Sequence, residues 1–315
     1  MNLQQFRYIR ETIRRNFNLT ETSHALYTSQ PGVSKAIIEF EDELGLQIFR
    51  RHGKRIKGLT KPGQDVVAVI ERIMREVDNL KRVSDDYAKQ DEGELVIGCT
   101  HTQARYFLPE IILKFKKKFP KVRVSLAEGN PTQLANMVLA EEADVAMATE
   151  TLSQVSGLAT FPCYEWSHTV VVKPDHPLTE LTSSQARNIS LEQIAAYPII
   201  TYEKAFSGRK AIDASFEAAG VHPDIILEAI DADVIKTYVE VDLGVGIIAG
   251  MAFNPRRDPN LVGIPVGHLF GKHISRLGVR KGIFARDYLY EFIQMCAPGY
   301  NREKIDEALI ETTAE

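Results

Sequence analysis

Cysteine is scarce in this chain. There are three in 315 residues, Cys99, Cys163 and Cys296, far apart and without a CxxC pair. That argues against a disulfide frame or a zinc cluster and suits a reducing cytoplasm. No apolar run approaches the roughly 18 residues of a membrane-spanning helix. The start, Met1-Asn-Leu-Gln-Gln-Phe6, lacks the apolar core of a secretory signal. Catalytic patterns are missing too: there is no GxSxG, HExxH, strand-linked GxGxxG or P-loop. His101 beside Thr100 and Thr102 does not supply one, because adjacent residues rarely reach the geometry of a base and its nucleophile. Repeats and low-complexity tracts are absent. The expectation is a cytoplasmic, non-membrane protein that is no enzyme and needs no cofactor and no metal.

Charge is present but unevenly spread. Residues 1–62 hold eleven Lys/Arg against six Asp/Glu, a net +5. The whole chain is −4, so the remainder is −9. A basic segment on an acidic body points to a polyanionic partner for the first part alone.

That first part reads as helices. Leu3, Phe6, Ile9, Ile13 and Phe17 recur at helical spacing, and Thr20 is placed to cap a second short helix. In the third, Ser29 is an N-cap candidate and Pro31 sits where a first turn tolerates proline. Val33, Ile37, Phe40 and Leu44 give it an apolar face. Gln30, Ser34 and Lys35 stay on the other side near its start. This is a helix-turn-helix arrangement, in which the second helix of the pair enters the DNA major groove. Glutamine reads adenine edges, and serine and lysine reach edges or phosphates. The candidate DNA-binding residues are Thr28, Ser29, Gln30, Pro31, Ser34 and Lys35. The segment 47–59 alternates apolar and basic residues around Gly53 and reads as a wing. It places Arg50 and Arg51, with Lys54, Arg55 and Lys57, against the phosphate backbone.

A long helix follows from Thr60-Lys61-Pro62-Gly63. Val66, Ile70, Ile73, Val77, Leu80 and Tyr87 form a narrow heptad seam, broken at Ser84, that calls for a second subunit. Asp85, Asp86 and Lys89 to Gly93 read as a polar hinge. Beyond it strands alternate with helices, which predicts an α/β architecture with mainly parallel sheets. Two hundred residues in this pattern suit two lobes around a cleft. The Ser/Thr-rich stretch near 179–190 reads as a surface loop.

Several polar residues fall at expected strand ends: Thr100, Thr102 and Gln103, then Thr149, then Thr201. Hydroxyls, an amide and helix N-termini can hold a small anion without a paired arginine. On local sequence alone an ordinary helix cap explains Thr100 better. Asp231 or Asp233 reads as a cap of its helix rather than a ligand contact. Trp166 reads as core and Arg209 as surface charge.

Four segments carry a resemblance: Leu26-Tyr-Thr-Ser-Gln-Pro-Gly-Val-Ser-Lys35, Thr100-His-Thr-Gln-Ala-Arg-Tyr106, Asp231-Ala-Asp-Val-Ile-Lys-Thr-Tyr238 and Leu243-Gly-Val-Gly-Ile-Ile-Ala249. On them the chain resembles a LysR-type transcriptional regulator over essentially its full length. The two middle segments are similar to those of members controlling cysteine-biosynthesis and sulfate-assimilation genes. The resemblance implies a winged helix-turn-helix over 1–59 and a linker helix with hinge over 60–92. It implies a two-lobed, periplasmic-binding-protein-like effector domain over 93–315. Lobe I takes about 93–163 and 268–315, and lobe II about 164–267. It further implies a homotetramer, a dimer of dimers, on promoter DNA with RNA polymerase as partner. N-acetylserine or O-acetylserine is the implied effector, with sulfate or thiosulfate in the same cleft. The implied ligand site is Thr100, Thr102, Gln103, Thr149 and Thr201, with Trp166 nearby. Two other readings fit the residues: a LysR-type regulator of another metabolic regulon, and a small-molecule-binding protein that does not act on DNA.

Overall fold

The computed structural model describes residues 1–53, 55–88, 92–180 and 189–310, with backbone only for 85–88. Lys54 of the expected wing, Lys89, Gln90 and Asp91 of the expected hinge, and most of the 179–190 stretch lie outside the described residues. So do the side chains of Asp85, Asp86 and Tyr87. The chain divides into two compact units, Met1–Ala88 and Lys89–Glu315.

In the first unit α1 (Leu3–Arg14) opens on a reciprocal cap. Asn2 Oδ1 accepts from Gln5 N at 3.0 Å, and Gln5 Oε1 accepts from Asn2 N at 2.9 Å. This satisfies two backbone donors that a helix start otherwise leaves open. Helix α2 (Leu19–Ala25) is capped by Asn18, not by Thr20. The Asn18 carboxamide reaches the backbone N–H groups of both Thr20 and Glu21. Ser29 caps α3 (Gln30–Leu44), and Gly45 closes it in the left-handed region at φ 67°. Strands β1 (Phe49–His52) and β2 (Arg55–Leu59) form the antiparallel wing, turning at Gly53. Phe6, Ile9, Val33, Ile37, Phe40, Ile48 and Phe49 meet in one core.

The long helix α4 (Lys61–Ala88) packs its early part on that same core through Ile70 and Met74. Gly63 is required at its start, because a Cβ there would lie 2.1 Å from the Ile48 carbonyl oxygen. The expected seam therefore divides. Val66 and Ile70 serve the chain's own core, whereas Ile73 and Leu80 are exposed and Val77 is half-buried. The expected hinge starts too early, since Asp85 to Ala88 are still helical.

Among the described residues the second unit is built on nine strands. In order these are β3 (Gly93–Cys99), β4 (Val122–Glu128), β5 (Val145–Ala148), β6 (Leu158–Val172) and β7 (Ile199–Tyr202). Then come β8 (Ile225–Ala229), β9 (Val245–Ala249), β10 (Val262–Pro265) and β11 (Lys272–Arg280). The sheet runs β4-β3-β5-β11-β6-β9-β7-β8, with β10 also on β6. Strands β4, β3 and β5 are parallel, as are β9, β7 and β8. Every pairing that β6 or β11 makes is antiparallel, which corrects the expectation of mainly parallel sheets. The reason is topological: these two strands carry the chain between the lobes and run against their neighbours in each.

Helices α5 (His101–Tyr106), α6 (Leu108–Lys118) and α7 (Pro131–Leu139) belong to the first lobe. Helices α8 (Leu191–Ala195), α9 (Ser207–Ala219), α10 (Ala232–Glu240) and α11 (Gly267–Phe270) belong to the second. Helices α12 (Asp287–Cys296) and α13 (Arg302–Leu309) return to the first. The spacing of Phe107, Ile111, Ile112 and Phe115 predicts a single helix over 104–118, yet two form. Phe107 breaks them because Pro109 follows at the start of α6, where a proline is accommodated but a continuing helix is not. The apolar run 169–173 reads as a strand in the sequence, yet strand β6 is much longer. Pro162 hides it, and a bulge absorbs that proline where Ser275 and Arg276 face Tyr164 and Pro162. Among the described residues no helix is long and apolar enough to cross a membrane.

Candidate functional site

The second unit holds a cleft at the carboxyl ends of β3, β5, β7 and β9, where open α/β sheets leave room for ligands. It takes in about 430 Å³ of space, open to solvent. Its polar lining is Thr100, Thr102, Gln103, Thr149 and Ser207, and its apolar walls include Trp166, Tyr202 and Phe206. Among the described residues no charged side chain is in that lining.

Thr100 occupies the N-cap position of α5, but its side chain makes no capping bond. The ordinary-cap explanation therefore fails: a buried hydroxyl is left facing the cleft. Thr149, at the end of β5, likewise caps nothing with its side chain. It is reached across the cleft by Ser207 Oγ, 2.6 Å from Thr149 Oγ1. Gln103 is buried and partly committed, donating to Ser275 Oγ at 3.1 Å and accepting from Tyr164. Thr102 lines the cleft with Tyr202, whose hydroxyl accepts from Ala249 N at 3.0 Å and is pushed up to about 12 by burial, so it stays neutral. Trp166 is cleft wall rather than core, 4.6 Å from the His273 ring and 5.0 Å from His168. Burial pushes His168 down to about 3, with His273 adding to the shift. His168 is therefore uncharged at neutral pH beneath Trp166 and Gly208.

Thr201 departs from this group. It has no exposed surface, and its hydroxyl donates to the Ile247 carbonyl at 3.1 Å. Strand alternation turns Thr201 into the sheet and brings its neighbour Tyr202 to the cleft. Sequence reasoning missed Tyr202, Phe206, Ser207 and Met251. The strand-end pattern that singled out Thr149 was available for Tyr202, but Ser207 is visible only once α9 is docked. Arg209 is a correction: it is buried, not surface charge. Its guanidinium donates to the Tyr202 carbonyl, Asp213 and Glu228, each at 2.7 Å. Asp231 caps α10 through Val234 N at 2.8 Å, as expected. Asp233 does not cap; it meets α5 from across the cleft.

The first unit presents a second candidate surface. Ser29, Gln30, Pro31 and Lys35 are exposed at the start of α3, with Thr28 and Ser34 half-buried beside them. Ser29 Oγ accepts from Gly32 N at 3.3 Å, so part of its bonding is local. Tyr27 in the preceding turn is 98% exposed with φ 50°, an uncommon arrangement for a bulky residue. Sequence reasoning gave it no role. The two wing arginines differ. Arg50 is exposed, whereas Arg51 Nη2 lies 2.9 Å from Glu41 Oε2. Glu41 is itself buried and accepts from Ile48 N and Phe49 N through its other oxygen. Arg51 thus ties the wing to α3, and Arg50, Arg55 and Lys57 remain on the outside.

Residues 3–64 match the family model described as a bacterial regulatory helix-turn-helix protein, lysR family. Residues 88–299 match the one described as a LysR substrate binding domain. The chain is 56% identical to the HTH-type transcriptional regulator CysB of Burkholderia cenocepacia, covering 98% of this chain and 97% of the relative. It is 42% identical to the regulator cbl of Escherichia coli K12, covering 100% and 98%. The second unit resembles the solved cofactor-binding domain of the Cbl transcriptional regulator, at 39% identity and a TM-score of 0.66. That likeness covers 70% of this chain and 95% of the other.

Proposed function

The chain belongs to the LysR family of transcriptional regulators, and on that premise we propose that it controls cysteine-biosynthesis and sulfate-assimilation genes. N-acetylserine or O-acetylserine switches it, and sulfate or thiosulfate occupies the same cleft. The observation that carries this reading is the cleft's lining: hydroxyls of Thr100, Thr102, Thr149 and Ser207 with the Gln103 amide, and, among the described residues, no charged side chain. Neutral donors out of bulk water suit an oxyanion or carboxylate, because hydrogen bonds to a charged acceptor are about twice as strong as neutral ones. The similarity to CysB and Cbl regulators supports the sulfur assignment. Trp166 acts as wall, and Thr201 acts only by holding Tyr202's strand to β9.

The functional parts we assign are a winged helix-turn-helix over 1–59, a linker over 60–92 and an effector domain over 93–315, working in the cytoplasm. The assembly is a homotetramer built from dimers, acting on promoter DNA with RNA polymerase. Ile73, Val77 and Leu80, which the chain's own core leaves unused, support α4 as a dimer contact.

Calorimetric titration of the full-length protein tests the effector. The panel is N-acetylserine, O-acetylserine, sulfate, thiosulfate and an aromatic acid, each repeated on Thr100→Ala. Binding of the acetylserines or sulfur oxyanions is expected, weakened at least tenfold in the variant, since a bond to a charged group contributes about 1.5–3 kcal/mol. Binding of the aromatic acid alone would instead assign another metabolic regulon.

On the DNA side, Gln30→Ala is expected to cost about 1–3 kcal/mol at a promoter site and to relax base preference. Footprinting at fixed salt checks this. Unchanged affinity and footprint would remove Gln30 from base reading.

A further inference from the structure

We propose that His101 is a protonation-gated latch between the two lobes: as imidazolium it bonds Glu128 on its own lobe and Asp233 on the other, holding the cleft closed. Its Nδ1 lies 3.2 Å from Glu128 Oε2, and its Nε2 lies 3.3 Å from Asp233 Oδ2. A neutral imidazole has one N–H, so one of the two carboxylates would face a lone pair. The imidazolium donates to both.

The charged groups around it favour the proton. Glu128 comes from the end of β4, and Asp231 and Asp233 from the start of α10. Glu203 lies across the adjoining interlobe groove that His101 and Glu128 line. On the positive side stand Arg105 of α5, 2.8 Å from Asp233, and Lys236 of α10, 3.2 Å from it. Lys236 also bonds Asp258 at 2.8 Å, and the Tyr106 hydroxyl donates to Asp233 at 2.8 Å. Ligand atoms of His101, Asp231 and Asp233 lie within 4.8 Å of one another. Asp233 is already paired with Arg105 and Lys236.

The location gives the latch its consequence. Helix α5 carries Thr102 and Gln103 of the cleft at its start and Tyr106 at its end, and Thr100 precedes it. Tyr106 packs into a core of the opposite lobe. The segments 100–106 and 231–238, singled out in the sequence, meet here. Fixing His101 to Asp233 fixes the helix that presents the cleft's hydroxyls.

The sign follows from the surroundings. Burial alone would lower the His101 pKa, but the bond to Glu128, the charge of Asp231 and the bond to Asp233 raise it above the ordinary value. Opening the lobes removes Asp231 and Asp233 and leaves Glu128. The closed form therefore has the higher pKa. Its contribution to closure is full below the open-form pKa and is lost as pH rises through the closed-form pKa.

The latch goes beyond the effector assignment and rests on it only in the choice of sulfate as probe. Sulfate suits because its charge does not change near neutral pH. Full-length wild type and His101→Gln are compared at about pH 6 and about pH 8.5, values either side of an imidazole titration. Wild type is expected to bind sulfate several-fold more tightly at the lower pH, and the variant equally at both. Hydrogen exchange of segments 101–107 and 231–240 should be faster in the variant at the lower pH and alike at the higher. Equal exchange at both pH values overturns the latch whether or not sulfate binds. Failure of both proteins to bind sulfate, with the exchange difference intact, sinks the sulfate reading and leaves the latch standing. As a measurement on the unaltered chain, the His101 ring signal is titrated by NMR. A midpoint above the ordinary imidazole value, falling back in Asp233→Asn, is expected; a midpoint at or below that value in wild type overturns the proposal.

Discussion

Glu41→Ala is expected to destabilise the N-terminal unit by about 3 kcal/mol, at the lower edge of what removing one partner of a buried ion pair costs. The Glu41 side chain is 7% exposed, and its partner Arg51 is 22% exposed. Three bonds go at once: Ile48 N at 2.8 Å, Phe49 N at 3.0 Å and Arg51 Nη2 at 2.9 Å. The two amides are buried and find no replacement, and Arg51 loses its anchor. For a unit of this size that amounts to roughly 12–24 °C in melting temperature. Scanning calorimetry of the full-length variant should show the transition of the N-terminal unit moved down, and titration calorimetry should show effector binding retained. Promoter affinity should fall with it, because the wing starts at Phe49. A transition within about 1 kcal/mol of the parent would mean that Glu41 does not hold the wing.

Arg209→Leu is expected to cost about 2–3 kcal/mol, less than a fully buried pair. The arginine side chain is 4% exposed, but Asp213 and Glu228 are 41% and 37% exposed and return to water when it is removed. The group with no alternative is the Tyr202 carbonyl, which loses its 2.7 Å bond. Tyr202 and the first turn of α9, Ser207 and Gly208, line the cleft. Loosening them should weaken the bound member of the effector panel by about tenfold, or 1.4 kcal/mol. Arg209→Lys, which keeps one charge-assisted bond, should recover part of both losses. Denaturant unfolding and calorimetric titration report them separately. Lost stability with unchanged affinity would show that Arg209 supports the lobe but not the cleft wall.

Much of the architecture was legible along the chain because its signals are local. The helix-turn-helix follows from the Val33, Ile37 and Phe40 spacing, with Ser29 before it and Gly45 after it. The wing follows from alternation around Gly53. The strand-end hydroxyls Thr100 and Thr149 follow from apolar runs that stop at a polar residue. Where local signals conflicted, expectation failed in identifiable ways. Pro162 suppressed the long strand β6, which needs β11 and a bulge to form. Pro109 split a helix whose apolar period runs on through it. Asn18 took the cap assigned to Thr20 because its longer side chain reaches two amides.

What the sequence by itself determined is the order and kind of the elements, the basic first part and the polar ends of the strands. Helical and strand periods, caps and proline breaks all act within a few residues, so one segment suffices to read them. The tertiary structure alone decided which polar groups are bound and which are left for a ligand. Gln103 is tied to Ser275, 172 positions away, and Thr149 meets Ser207, 58 positions away. Thr201 is spent on Ile247, Arg209 is drawn inside, and Met74 joins a core that the heptad pattern overlooked. Burial and pairing depend on what distant segments bring to the same place, and no local period carries that information.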